Sequence, residues 1–256
     1  MVNILCKPWK ELALLCIVLI PSLALADGPM TISATPNTIL MGARYDGISL
    51  KVAGSVPAGS DVVLRFTGAP EDLHLREKGK VFGLLWMNVG KVALKNVPKV
   101  CLIDSSRSFA DLGAIAEPFR LESLGSSVEV EKDAAGGEID VIHELLLLKK
   151  NDHLYHESAG GVVLGPDKGD SRTFTADIAV PSALAPGHYS VEAVAVRGGA
   201  LVGKASSAVE ASLSGFPGWL AKMAFERSLL YGVLATVIAI VSGLAIGLIF
   251  QSKGAH

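Results

Sequence analysis

Cysteine is scarce in this chain, with three among 256 residues. Two of them, Cys6 and Cys16, precede Ala26, so Cys101 is alone in the remainder. A disulfide-stapled scaffold is therefore excluded. Aromatic side chains make up 6% and charged ones 19%. The 23 basic and 25 acidic residues nearly cancel, leaving a net charge of −2. That balance excludes a protein that wraps nucleic acid electrostatically, and no nucleic-acid partner is expected. The sequence holds no G-x-S-x-G, S-x-x-K, P-loop, G-x-G-x-x-G, C-x-x-C or H-E-x-x-H motif. Each of those patterns builds a geometry its chemistry requires. Without them no enzyme is expected, no catalytic residue is assigned and no cofactor is called for.

Hydrophobicity is concentrated in two places. Residues 1–26 carry Lys7 and Lys10, an apolar core from Leu12 to Ile20, a break at Pro21 and the small-x-small signal Ala24-Leu25-Ala26. This pattern predicts a secretory signal peptide cut after Ala26; an uncleaved anchor is the alternative. Leu229 to Phe250 is 22 residues without a charge. At ~1.5 Å per residue it reaches ~33 Å, enough for a hydrocarbon core of ~30 Å. A membrane-spanning helix over 229–250 is predicted, with residues 251–256 as a cytoplasmic tail. The expected address is the bacterial inner membrane, crossed once, with the bulk of the chain in the periplasm.

Between these ends, residues 27–215 read as one exported domain, with two small domains as the alternative. Met30–Thr35, Ile48–Ala53, Val62–Thr67, Phe82–Asn88, Val92–Lys95 and Val100–Ile103 alternate and are punctuated by turn residues. A helical excursion over about 105–157 follows. Within it, Ser108–Ala116 reads as a short helix and Gly125–Gly137 as a loop. Glu138–Leu148 reads as a helix with Ile139, Ile142, Leu145 and Leu146 on one stripe. Strands return at Thr173–Val180, Tyr189–Arg197 and Leu201–Val209, the last two joined by the hairpin signal Gly198-Gly199. Pro186-Gly187-His188-Tyr189 resembles the tyrosine corner of immunoglobulin-like sandwiches, with Val191 where antibody domains carry cysteine. The expected fold is mainly β: an immunoglobulin-like sandwich with a helical insertion and one C-terminal transmembrane helix. Residues 216–228 place Phe216, Trp219, Leu220 and Met223 on one face. They read as the first turns of the membrane helix or as an interfacial helix.

Five candidates merit a functional reading. His153 and His156, flanked by Asp152 and Glu157, have a spacing that sets two imidazoles on one helical face for zinc or copper. The plainer reading is a polar helix end. Ser105, Ser106 and Arg107 suit an anion at a helix start, or simply an N-cap beside a solvated arginine. Trp86 reads as a core ring or a ligand platform, and Cys101 as a buried small hydrophobe or a reactive thiol. Ala235, Ala239, Gly243 and Gly247 recur every fourth residue in the predicted span. That row is a groove for another helix, or the ordinary small-residue content of a span.

The succession of motifs resembles a family of transmembrane proteins of alphaproteobacteria and relatives. It runs through TISATP, VPAGSDVVLRFTGAP, KVFGLLWMNVGKVALKNVPKVCLIDSSRSF and RTFTADIAVPSALAPGHYSVEAVAVRGG into LLYGVLATVIAIVSGLAIGLIF. The resemblance implies a single-span inner-membrane protein with a periplasmic domain and brings no catalytic residues. It implies an accessory role beside a permease of the sulfite/taurine-exporter type. The expected function is that of a membrane-anchored periplasmic interaction protein. Its partners would be the inner membrane and another membrane protein, or itself, met through the transmembrane helix. The alternative is an envelope metal-binding protein or enzyme using His153 and His156.

Overall fold

The computed structural model describes residues 30–132 and 140–251. The predicted leader, Glu138 and Ile139 of the predicted helix, and residues 252–256 lie outside the described residues.

The strands run in chain order as follows. The first four are β1 (Thr31–Thr35), β2 (Thr38–Met41), β3 (Ile48–Pro57) and β4 (Asp61–Gly68). Next come β5 (Pro70–Val81), β6 (Leu85–Pro98), β7 (Cys101–Ser105) and β8 (Glu129–Lys132). The last are β9 (Tyr155–Ala159), β10 (Val162–Lys168), β11 (Ser171–Val180), β12 (Gly187–Arg197) and β13 (Ala200–Leu213). The helices are α1 (Phe109–Leu112), α2 (Val141–Asn151), α3 (Gly215–Glu226) and α4 (Ser228–Gln251).

Among the described residues three sheets form, in the orders β1-β3-β11-β10, β2-β13-β12-β4-β7-β9 and β5-β6-β8. The first two enclose one core. Leu50, Val52 and Val56 of β3 and Phe174 and Ile178 of β11 meet Val62, Leu64 and Phe66 of β4 and Val191, Ala193 and Ala195 of β12. The period of two explains why β4 and β12 are almost wholly apolar. Their alternate residues, Val63, Val194 and Val196, face outward under a second cluster. Phe109, Leu112, Ala116, Leu121 and Leu124 cover them there. The helical excursion is thus a lid on the outer face of the larger sheet. A third cluster, with Val92, Leu94, Val97, Val128 and Leu145, joins the base of the β5–β6 hairpin to α2.

The register fixes which ends lie together. Gly68 at the end of β4 is opposite Tyr189 at the start of β12, and Gly187 is opposite Ala211 near the end of β13. The β5–β6 hairpin therefore leaves the larger sheet at the same margin from which the chain departs for α3 and α4. Tyr189 closes this margin. Its hydroxyl donates to the carbonyl of Ala185 at 2.6 Å, and its ring stacks on Phe66 at 5.3 Å.

Several expectations are corrected. The strand expected over Phe82–Asn88 begins only at Leu85, as the start of β6: Phe82 and Gly83, both at positive φ, lie in the turn between β5 and β6. β5 itself escapes the sequence reading because its outward positions are Asp72, His74, Arg76, Lys78 and Lys80, so its alternation reads as a polar stretch. Trp86 is no core ring; it is 68% exposed near that turn. Part of the predicted 125–137 loop is β8, and residues 133–137 lie outside the described residues. The predicted helix after Ser108 is α1 followed by a 3-10 turn over Ala114–Phe119 that contains Pro118. Its cap is Ser108, whose Oγ accepts from the Asp111 amide at 3.3 Å, rather than Ser105 or Ser106. The connector is a helix of its own: α3 ends at Glu226, and Arg227 leaves helical geometry (φ −132, ψ 50) before α4 begins.

Candidate functional site

A cleft of about 800 Å³ opens between β7, the edge strand β9 and the end of β11. Asp104, Lys150, His153, His156, Glu157 and Asp177 supply its polar lining. Its shape follows from how α2 stops. Asp140 caps the helix start, accepting from the His143 amide at 3.1 Å, and Lys149 and Lys150 occupy the last turn, where cations favour the dipole. The His153 amide then donates to Lys150 O at 3.0 Å and the Leu154 amide to Lys149 O at 2.9 Å. These are the two bonds of a Schellman closure, with His153 in the left-handed position (φ 58) that glycine usually takes. The turn throws the chain into β9, which pairs in parallel with β7.

The two histidines therefore do not share a helical face. His153 sits at the turn and His156 in a strand, and both line the cleft. Their acidic neighbours are committed elsewhere. Glu157 accepts from Arg120 Nε at 3.1 Å and from the Leu121 amide at 2.9 Å. Asp104 accepts from the Ser158 hydroxyl. Among the described residues no group of three or more His, Cys, Asp or Glu side chains converges as a metal site.

Ser105, Ser106 and Arg107 lie at and just after the end of β7, and each has a protein partner. Ser105 is buried and donates to the carbonyls of Arg107 and Ser158. Ser106 accepts from the Val62 amide at 3.0 Å and donates to Asp61 at 3.2 Å. Arg107 pairs with the same Asp61 carboxylate at 3.1 Å. A carboxylate thus stands where an anion would sit. Cys101 is fully buried in β7, and burial pushes its thiol up to about 12. That makes it a packing residue with almost no thiolate at neutral pH.

α4 is the most exposed element. Its apolar span, Ser228–Phe250, is long enough to cross a membrane, and none of it is buried by the rest of the chain. Ala235, Ala239, Gly243 and Gly247 all lie on this bare helix. Sequence reasoning missed one other exposed surface, the hairpin tip. Phe82, Leu84, Leu85, Trp86 and Met87 all face solvent there.

These features define a mainly β protein of several sheets carrying one membrane-spanning helix near its C-terminus. The chain belongs to the family described as "Putative transmembrane protein (Alph_Pro_TM)", whose model matches residues 29–252. No curated protein matches the sequence. Among solved structures it is similar to murine CRIg at 7% identity and a TM-score of 0.26, over 73% of this chain and all of that one.

Proposed function

We propose that this protein is a single-span inner-membrane accessory protein. Its folded part lies in the periplasm and works by contact with another membrane protein rather than by catalysis. The observation that carries this reading is α4, a span that the described part of the chain does not bury and whose small-residue row is open to a second helix. The family resemblance implies the partner class, a permease of the sulfite/taurine-exporter type. The predicted leader supports the periplasmic side. The folded part is read as an immunoglobulin-like sandwich. In support, β1-β3-β11-β10 runs in the A-B-E-D order, β13-β12-β4-β7 in the G-F-C-C′ order, and Tyr189 bonds back to Ala185.

The test is a photo-crosslinking residue at Ala239 or Gly243 in native membranes. An adduct with the permease, or with a second copy, is expected. A span found crosslinked only to lipid overturns the reading. The second reading, a metal protein centred on His153 and His156, draws on their place in one cleft. Metal analysis of the purified full chain, with and without His153→Ala and His156→Ala, decides it: metal lost with the histidines supports it, and none bound removes it.

A further inference from the structure

The β5–β6 hairpin ends in a surface that folding does not explain. Between Lys78 and Gly90 the sequence is KGKVFGLLWMNVG, with two lysines as its only charges. Phe82 is 92% exposed, Leu84 85% and Trp86 68%. Phe82 also holds a left-handed φ of 53, where a residue with a Cβ costs about 1 kcal/mol and Asn or Gly is the usual choice. A bulky ring at a strained position, burying almost nothing, contributes nothing to the stability of the domain. Lys80 lies opposite Trp86 in the register, with its ammonium 5.4 Å from the ring centroid. Lys78 and Arg76 continue the basic face down the hairpin. This local charge is opposite in sign to the chain's net −2.

Position adds a second argument. The hairpin departs from the margin of the larger sheet at which the chain leaves for α4. Between that margin and α4 stands α3, 12 residues or ~18 Å of helix. β5, also 12 residues, is ~40 Å long. Among the described residues β5 and β6 pair only with each other and with β8, so the hairpin is not folded back into either of the other two sheets. An arm of that length outreaches the tether that holds the domain to the bilayer.

We propose that the tip from Phe82 to Met87 enters the interfacial layer of the bilayer that α4 crosses, with Lys78 and Lys80 at anionic headgroups. Aromatic and aliphatic side chains flanked by lysine suit that layer, where apolar area is buried and each nearby cation gains about 1 kcal/mol at an anionic surface. The second contact stops the domain from swinging about Arg227 and fixes which side of it faces along the membrane. The proposal rests on α4 being a membrane anchor. It does not depend on which partner α4 meets, nor on which side of the membrane the domain lies.

The full chain, with Trp9→Phe and Trp219→Phe so that Trp86 is the sole indole, is reconstituted in phosphatidylethanolamine–phosphatidylglycerol vesicles. Bromine on the acyl chains is expected to quench Trp86, and aqueous iodide to quench it several-fold less than in Leu84→Asp/Leu85→Asp. Lys78→Glu/Lys80→Glu is expected to restore iodide access in the same vesicles. A nitroxide at Leu84→Cys reports independently and is expected to be relaxed more by oxygen than by a water-soluble nickel chelate. Trp86 open to iodide and untouched by bromolipid overturns the proposal. So does a tip shielded in native membranes but not in pure lipid, which would assign it to a protein partner instead.

Discussion

The ring of Tyr189 lies against Gly68 so closely that a Cβ on the glycine would come within 2.8 Å of a ring carbon and 3.1 Å of Lys99 Cβ. The ring cannot retreat, because it is stacked on Phe66 and its hydroxyl is bonded to Ala185. Gly68→Ala is therefore expected to destabilise the domain by ~1–3 kcal/mol, the usual cost of overpacking. Tyr189→Phe should cost ~1 kcal/mol for its lost hydrogen bond. Thermal unfolding of the detergent-solubilised chain measures both. In a Tyr189→Leu background the glycine substitution should cost much less; equal costs in the two backgrounds would break the assignment.

That margin was legible in the sequence because a Pro-Gly turn before a tyrosine and alternating valines leaves few other arrangements. β4, β12 and the Gly198-Gly199 hairpin were legible because short runs rich in valine end at clear turn residues. β5 was not, since every outward position after Pro70 is charged or a histidine and its inward positions include Glu71, Glu77 and Gly79. Trp86 misled because a lone indole in a strand usually belongs to a core; here Leu85–Asn88 of β6 are exposed on both faces. The histidine pair misled because the helix before it ends two residues earlier than His153, through backbone bonds that no residue type announces. The sequence signal for the tip is the uncharged run Val81 to Met87, which its apolar character made read as a buried strand.

Cys101 should make the fold alkali-sensitive. Burial raises its thiol from 9.0 to about 12, so between those pH values the unfolded chain loses a proton that the folded chain keeps. The unfolded state then binds fewer protons, and stability falls as pH rises, by at most ~1.4 kcal/mol per pH unit. Burial shifts Tyr155 and Tyr189 in the same direction, and their contribution starts nearer pH 10. Stability measured from pH 8 to 10 should fall in the natural chain and stay nearly flat in Cys101→Ala. A thiol that reacts with an aromatic disulfide reagent before unfolding would contradict this.

Lys149 and Glu71 form a pair whose two halves are not equally replaceable. The lysine side chain is 8% exposed, its ammonium 3.0 Å from Glu71, 3.4 Å from Lys99 O and 5.9 Å from the Tyr155 ring. Glu71 is 31% exposed and is able to hydrate alone. Glu71→Ala strands a buried cation and should cost about 2 kcal/mol or more, whereas Lys149→Met should cost less. The order of the two losses, read by urea unfolding, is the test. The larger loss should also free α2 from the hairpin base, seen as faster amide exchange over Leu145–Leu148.

Arg107 bears on the anion question. Its guanidinium is more than half exposed and already faces Asp61, so Arg107→Ala should cost no more than about 1 kcal/mol. Sulfate or phosphate should shift the melting temperature equally in both proteins. A stabilisation by anion that vanishes in Arg107→Ala, and appears more strongly in Asp61→Asn, would show that the carboxylate is a displaceable occupant of a real anion site.

The small-residue row on α4 permits a cleaner separation of folding from association than any site in the domain. Among the described residues, apart from chain neighbours and the helix's own backbone, no atom lies within 4 Å of where a Cβ on Gly243 or Gly247 would sit, so a larger residue there has room. Successive members of the row are four residues apart, and each step winds about 40° around the axis. Two such grooves meet at a crossing near −40°, the right-handed geometry in which small residues let backbones touch. Gly243→Ile keeps the span apolar and fills the groove at that point. The melting temperature of the domain should not change, while crosslinking from Ala239 to the partner helix should fall about tenfold, equivalent to ~1.4 kcal/mol. Leu244→Ile, one residue away and off the row, should leave crosslinking intact. Equal loss in both variants would mean that bulk in the span, rather than the groove, governs the contact; no loss in either would mean that the row faces lipid.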